Sequence, residues 1–140
     1  MKNIRSLLPA LALALSLPSQ AQDLTAKIAA VKLVMVAYGY TYVDLRTCSL
    51  QEGGQCYFDR SFLGGSDYII MAVGQDGLSD LDLFAYDANG LKYSEDITTG
   101  EYPAVSFRKG LTGTLSIYAK NVDSYSRTYS YSVAILVGYK

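Results

Sequence analysis

The sequence predicts an all-β sandwich of about eight antiparallel strands, with one helix at its N-terminal side. Three observations carry this. From residue 40 onward the apolar residues recur with period two, the pattern of a strand with one face turned inward. The alternating runs are short and near-regularly spaced. Glycine, asparagine and aspartate turns separate them and no helical stretch lies between them, which favours a sandwich over a βαβ arrangement. With 140 residues, the chain supports one core and is too short for two.

Residues 1–21 read as a secretory signal peptide. Lys2 and Arg5 form a basic start, Leu7 to Leu17 is a leucine and alanine run broken by Pro9 and Ser16, and Ser19-Gln20-Ala21 offers small residues for cleavage after Ala21. The run is far shorter than the roughly 20 residues that span a bilayer, so a membrane anchor is disfavoured. Without Lys2 and Arg5, the mature chain carries 10 basic against 13 acidic groups. Such a balance excludes an electrostatic nucleic-acid binder, which needs a basic surplus.

Residues 22–39 have a helical period. Leu24, Ile28, Val31, Met35 and Tyr38 form a stripe, with Lys27 and Lys32 off it and Leu33, Val34 and Val36 widening the apolar face. Asp23 or Thr25 can cap the start, and Gly39 is placed to end the helix. The expected role is packing on the domain's own sheet; the alternative is docking to a partner or a membrane surface.

Residues 40–140 form the β domain. Tyr40 to Cys48 and Cys56 to Phe62 flank a polar, glycine-bearing segment and read as a hairpin joined by a Cys48–Cys56 disulfide, since thiols oxidise outside the cytoplasm. The alternative is two free thiols held apart by geometry. Tyr68 to Val73 reads as a strand buried on both faces. Asp80 to Tyr86 turns Leu81, Leu83 and Ala85 one way and Asp82, Phe84 and Tyr86 the other. Asp87-Ala-Asn-Gly90 is a turn, followed by a short strand over Leu91 to Ser94. Ala104 to Arg108, Thr114 to Lys120 and Tyr129 to Val137 complete the set, with Val105, Phe107, Leu115, Ile117 and Ala119 inward. Tyr129 and Tyr131 are expected in the core of the last strand.

The stretch from Tyr68 to Val137 resembles the bacterial pre-peptidase C-terminal domain and related free-standing secreted proteins. The resemblance lies in Asp80-Leu-Asp-Leu-Phe-Ala-Tyr-Asp-Ala-Asn-Gly90, Ser94-Glu-Asp96, Pro103-Ala-Val-Ser-Phe107, Leu111-Thr-Gly-Thr-Leu-Ser-Ile117 and Tyr129-Ser-Tyr-Ser-Val133. It covers about half of the mature chain; Thr114 stands where the family has an aromatic residue, and the helix is an addition. The resemblance implies a jelly-roll-like sandwich and a role in targeting, secretion or substrate contact. It transfers no catalytic residue.

The residue inventory disfavours catalysis. The chain has no histidine, so imidazole bases, shuttles and ligands are excluded. No Gly-x-Ser-x-Gly elbow and no phosphate-cradling glycine loop occur. One ligand constellation stands out: Asp80, Asp82 and Asp96, with Asp76 and Asp87 nearby, offer hard oxygen ligands suited to Ca²⁺. Those aspartates have an alternative use in accepting hydrogen bonds from turn amides. Asp82 sits mid-strand, either facing solvent or paired with Arg108 or Lys109. Tyrosine reaches 13 residues and tryptophan none, and Tyr102, Tyr118 and Tyr125 are the candidate contact surface. The expectation is a periplasmic or extracellular, non-catalytic binding or accessory module without a cofactor, whose partner is a protein or a glycan. The alternative is a calcium-stabilised adhesin-like or structural envelope domain.

Overall fold

The computed structural model describes residues 24–140. The signal-peptide reading and the Asp23 cap therefore lie outside the described residues. Helix α1 (Leu24–Ala37) precedes eight strands: β1 (Thr41–Leu50), β2 (Gln55–Phe62), β3 (Asp67–Gly74), β4 (Leu78–Asp87), β5 (Lys92–Asp96), β6 (Ala104–Arg108), β7 (Gly113–Ser124) and β8 (Tyr131–Tyr139). They form two four-stranded antiparallel sheets, ordered β1-β8-β3-β6 and β2-β7-β4-β5. This is a jelly roll, in which the chain crosses between sheets at nearly every connection. Only β4 and β5 pair as sequence neighbours. They are joined by a four-residue loop in which Gly90 takes φ +77° and donates its N–H to the Asp87 carbonyl at 3.0 Å, the geometry for which glycine has no Cβ penalty.

The core between the sheets is built by alternation. Leu81, Leu83 and Ala85 of β4 and Leu115, Ile117 and Ala119 of β7 are fully buried against Ile70, Ala72, Val133, Ile135 and Val137 of the facing sheet. Phe62, Tyr68 and Phe107 close one end, with ring centroids 4.8 to 5.8 Å apart. Strand β3 is buried on both faces as expected. Its other set, Ile69, Met71 and Val73, joins Ala134 and Leu136 of β8 beneath Val31, Val34 and Met35 of α1. The molecule therefore has three layers where α1 lies.

Several expectations are corrected. β1 and β2 are not a hairpin: β1 pairs with β8 and β2 with β7, in different sheets. Turn residues mark where a strand ends, but not which sheet the next one joins. The link Gln51–Gly54 turns a corner, held by Gly53 N–H donating to Asn121 O at 2.8 Å and by Asn121 N–H donating to Gly54 O at 3.0 Å. The Cys48–Cys56 disulfide forms, with Cα atoms 6.6 Å apart, and so ties one sheet to the other. A loop this short contributes about 2.5 kcal/mol in the chain-entropy treatment. The Arg60 guanidinium of β2 donates to the Asp44 carboxylate of β1, a second tie between sheets.

The helix packs by its expected stripe, with Val31 and Met35 buried and Leu24, Ile28 and Tyr38 against the same cluster, but the residues beside the stripe are corrected. Leu33 and Val36 are 70% and 62% exposed, while Lys27 is buried at 4%. Beside the stripe, the Lys27 ammonium meets Asp76 at 2.6 Å, the Gly74 carbonyl at 3.2 Å and Glu101 at 3.9 Å. Gly39, with φ +82°, follows the last turn. Tyr129 also departs from expectation: it lies before β8 and is 54% exposed, whereas Tyr131 is core.

Lys27→Ala is expected to destabilise the protein by about 2 kcal/mol. Removing one member of a buried pair costs 3–5 kcal/mol when both are buried, and here Asp76 is partly solvated. Hydrogen exchange is the measurement: amides of α1 should lose protection more than those of β4 and β7. Uniform loss across both sheets would show that Lys27 does not act through the helix.

Candidate functional site

Because α1 covers β3 and β8, the sheet face left open to solvent on a broad scale is the outer face of β2-β7-β4-β5. Strand register places its side chains in rows. Tyr57 of β2 stands opposite Tyr118 of β7, Tyr118 opposite Phe84 of β4, and Phe84 opposite Glu95 of β5. One row along, Asp59 stands opposite Ser116, and Ser116 opposite Tyr86. The rings are in contact. Tyr57 stacks on Tyr118 at 5.1 Å, Tyr118 meets Tyr86 edge-to-face at 5.4 Å, and Tyr86 lies 6.3 Å from Phe84.

Tyr57 is 62% exposed, and the other three are half-buried by one another. Aromatic pairs across strands stabilise a sheet, yet a chain of four on a face turned to water is the composition of a contact surface. Beside it opens a cleft of about 560 Å³, lined by Asp59, Tyr86, Asp87, Ala88, Gly90, Thr114, Ser116 and Tyr118.

The three tyrosines expected to form one surface occupy three places. Tyr118 belongs to the aromatic face. Tyr125, 95% exposed, follows β7 and donates its N–H to the Gly77 carbonyl. Tyr102 lies between β5 and β6, its ring 6.0 Å from the Lys27 ammonium beneath α1. Burial, then the neighbouring Glu101 carboxylate, pushes its phenol up to about 12. Tyr57, Phe84, Tyr86 and Asp59 are additions that the sequence reading did not nominate. The outward set of β4 was legible from alternation; that it lines up with Tyr57 and Tyr118 depends on register between strands far apart in the chain.

The aspartates are largely engaged in turns. Asp96 accepts from Thr98 N–H at 3.0 Å, from its hydroxyl at 2.6 Å and from Ala104 N–H at 2.9 Å. Asp80 accepts from Gly100 N–H at 3.0 Å, and Asp87 from Asn89 and Leu91 N–H at 2.8 and 2.9 Å. Asp76 is held by Lys27. Asp82 pairs with neither Arg108, which reaches Asp67 at 3.4 Å, nor Lys109, whose ammonium lies 5.2 Å from the Tyr93 ring. It stands opposite Lys120. Desolvation first, then the Asp80 charge, raises its carboxyl above the usual range, and Lys120 opposes them. Among the described residues, no three of His, Cys, Asp and Glu are grouped to hold a metal ion.

No family model matches this chain, and no curated protein does. Among solved structures, the fold is similar to Aeromonas hydrophila PliG, a periplasmic lysozyme inhibitor of g-type lysozyme. That similarity has a TM-score of 0.53 at 9% identity, over 74% of this chain and 90% of that one. A de novo designed double-stranded β-helix aligns at TM-score 0.37 and 13% identity, over 70% of this chain and all of that one, too loosely to bear on the fold. The class defined by fold and face is a jelly roll with an exposed aromatic sheet surface. Among the described residues no helix is long and apolar enough to cross a membrane.

Two expectations follow. Because Asp80 and Asp96 spend oxygens on backbone amides, 5 mM Ca²⁺ should raise the melting temperature by less than about 2 °C relative to EDTA; a site filled to a hundred times its Kd would give on the order of 5–10 °C. A shift of that size, absent in Asp82→Asn, would restore a calcium site. For Tyr102, the folded phenol keeps its proton to about 12, against 10.0 for an unperturbed one. Its stabilising contribution is thus intact below about pH 10 and is lost as pH rises toward 12. Tyrosinate absorbance should show a phenol that titrates toward 12, and Tyr102→Phe should remove that component, leaving the smaller upward shift of Tyr40, and reduce the alkaline loss of stability.

Proposed function

We propose that this chain is a periplasmic or extracellular, non-catalytic protein-binding module that uses the outer face of β2-β7-β4-β5 as its contact surface. One observation carries the reading: four aromatic rings in contact on an open sheet face, built from three strands, next to a cleft. Rigid rings offer large contact area at small entropic cost. The opposite sheet is committed to α1, which leaves this face free. The disulfide suits an oxidising compartment, and the absence of histidine argues against acid–base chemistry at the face. The motif resemblance to pre-peptidase C-terminal domains belongs with this proposal, as an accessory rather than a catalytic role.

The fold similarity to a lysozyme inhibitor makes a g-type lysozyme the first protein to test as partner. Wild-type protein is expected to bind it with one-to-one stoichiometry and to slow its lysis of cell walls. Tyr118→Ala should weaken binding at least tenfold, since central aromatic truncations cost about 2 kcal/mol or more. Tyr125→Ala, outside the four-ring cluster, should not. Binding to a chito-oligosaccharide in place of the lysozyme, lost in the same Tyr118 variant, would make the face a glycan platform instead.

A further inference from the structure

The aromatic face carries its own charges, and they are unevenly matched. In one row, Asp82 stands opposite Lys120. At the β5 edge, Lys92 stands opposite Tyr86, and its ammonium lies 6.0 Å from the Phe84 ring and 2.7 Å from the Glu95 carboxylate. The chain thus fills one end of its aromatic strip with a cation held between a ring and a carboxylate. Toward β2, on the other side of Tyr86 from Lys92, the Tyr118 ring and the Asp59 carboxylate offer the same two components around the 560 Å³ cleft. There no cation of the chain is supplied. No Lys or Arg lines the cleft, and Asp59 takes part in no ion pair among the described residues. Its Oδ1 accepts from Ser116 Oγ at 2.5 Å, which fixes the carboxylate across the cleft floor.

From this we infer that the cleft receives a cationic side chain, an arginine, from the protein partner. The inference rests on the reading of this face as a protein contact surface, and it names the partner's anchor. Arginine suits the cleft better than lysine. Its planar guanidinium stacks on an aromatic ring while donating in-plane to a carboxylate, two contacts that the compact ammonium makes less well together. Charge-assisted bonds to a carboxylate are the strong ones. The cleft lies within the volume range of about 300–1,000 Å³ typical of small-molecule pockets. It has room for an arginine with its flanking backbone. Asp87 lines the same wall, but its Oδ1 already accepts from two amides of its own turn, which leaves Asp59 as the principal acceptor.

The test uses the mature, disulfide-bonded protein and two probes, N-acetyl-arginine amide and its neutral near-isostere N-acetyl-citrulline amide, followed by amide chemical-shift titration. The arginine probe is expected to move Asp59, Tyr86, Ser116 and Tyr118 saturably, at least tenfold more tightly than the citrulline probe. Asp59→Asn should abolish that preference. The substitution is exposed and keeps an acceptor for Ser116, so folding is not at stake. Glu95→Gln, at the end already filled by Lys92, should leave the preference intact. Equal binding of both probes, shifts scattered over the surface, or an unchanged preference in Asp59→Asn would overturn the inference. If Tyr118→Ala abolishes lysozyme binding while arginine fails to titrate, the contact face stands and the arginine pocket falls. If arginine titrates into the cleft but lysozyme binding ignores both variants, the pocket stands and the lysozyme-type partner falls.

Discussion

Strand β3 sets the terms for the rest of the molecule. Every residue of Tyr68–Val73 is buried: one set faces the sandwich core and the other the underside of α1. A strand apolar on both faces needs cover on both, and the facing sheet supplies only one. Helix α1 supplies the other. Its seat is fixed by Lys27, whose ammonium is met by a carbonyl at the end of β3 and by carboxylates in the adjoining loops. Burying that charge is tolerable because it is paired and hydrogen-bonded.

That choice determines where contact with another molecule can occur. With α1 over β3 and β8, the sheet carrying β2, β7, β4 and β5 is the one whose outer side chains meet solvent, and there the aromatic row stands. The same division sorts the acidic residues. Asp80, Asp87 and Asp96 stabilise loops by accepting from backbone amides, and Asp76 holds the helix. Asp59 has a single hydroxyl donor. An aspartate in a turn contributes to folding, whereas an exposed carboxylate beside aromatic rings contributes little to it and is available for recognition.

The jelly-roll connections add a further constraint. Since nearly every link crosses between sheets, local sequence does little to hold the two layers in register, and covalent and ionic ties join them beside the apolar core. Cys48–Cys56 and Asp44–Arg60 both join β1 to β2 across the layers. They stand in for the ladder that a hairpin between these strands would have provided.

Alternation and apolar runs marked most of the strands, their inward residues such as Leu83 and Ile117 and the two-faced burial of β3. These are properties of neighbouring residues, and period two reports them directly. The turn roles of Asp80, Asp87 and Asp96 were likewise available as one of two readings, because aspartate beside turn amides is local chemistry. Tertiary structure decided what depends on distant segments. The helix period marked the stripe that packs, but only packing on β3 and β8 could bury Lys27 beside it and leave Leu33 and Val36 exposed. The β1–β2 corner was misread as a hairpin because turn residues are indifferent to sheet membership. Tyr57, Phe84, Tyr86 and Tyr118 come from strands up to some sixty residues apart, and only register across β2, β7 and β4 makes them one surface, because lateral neighbours in a sheet are set by hydrogen bonding between strands rather than by order along the chain.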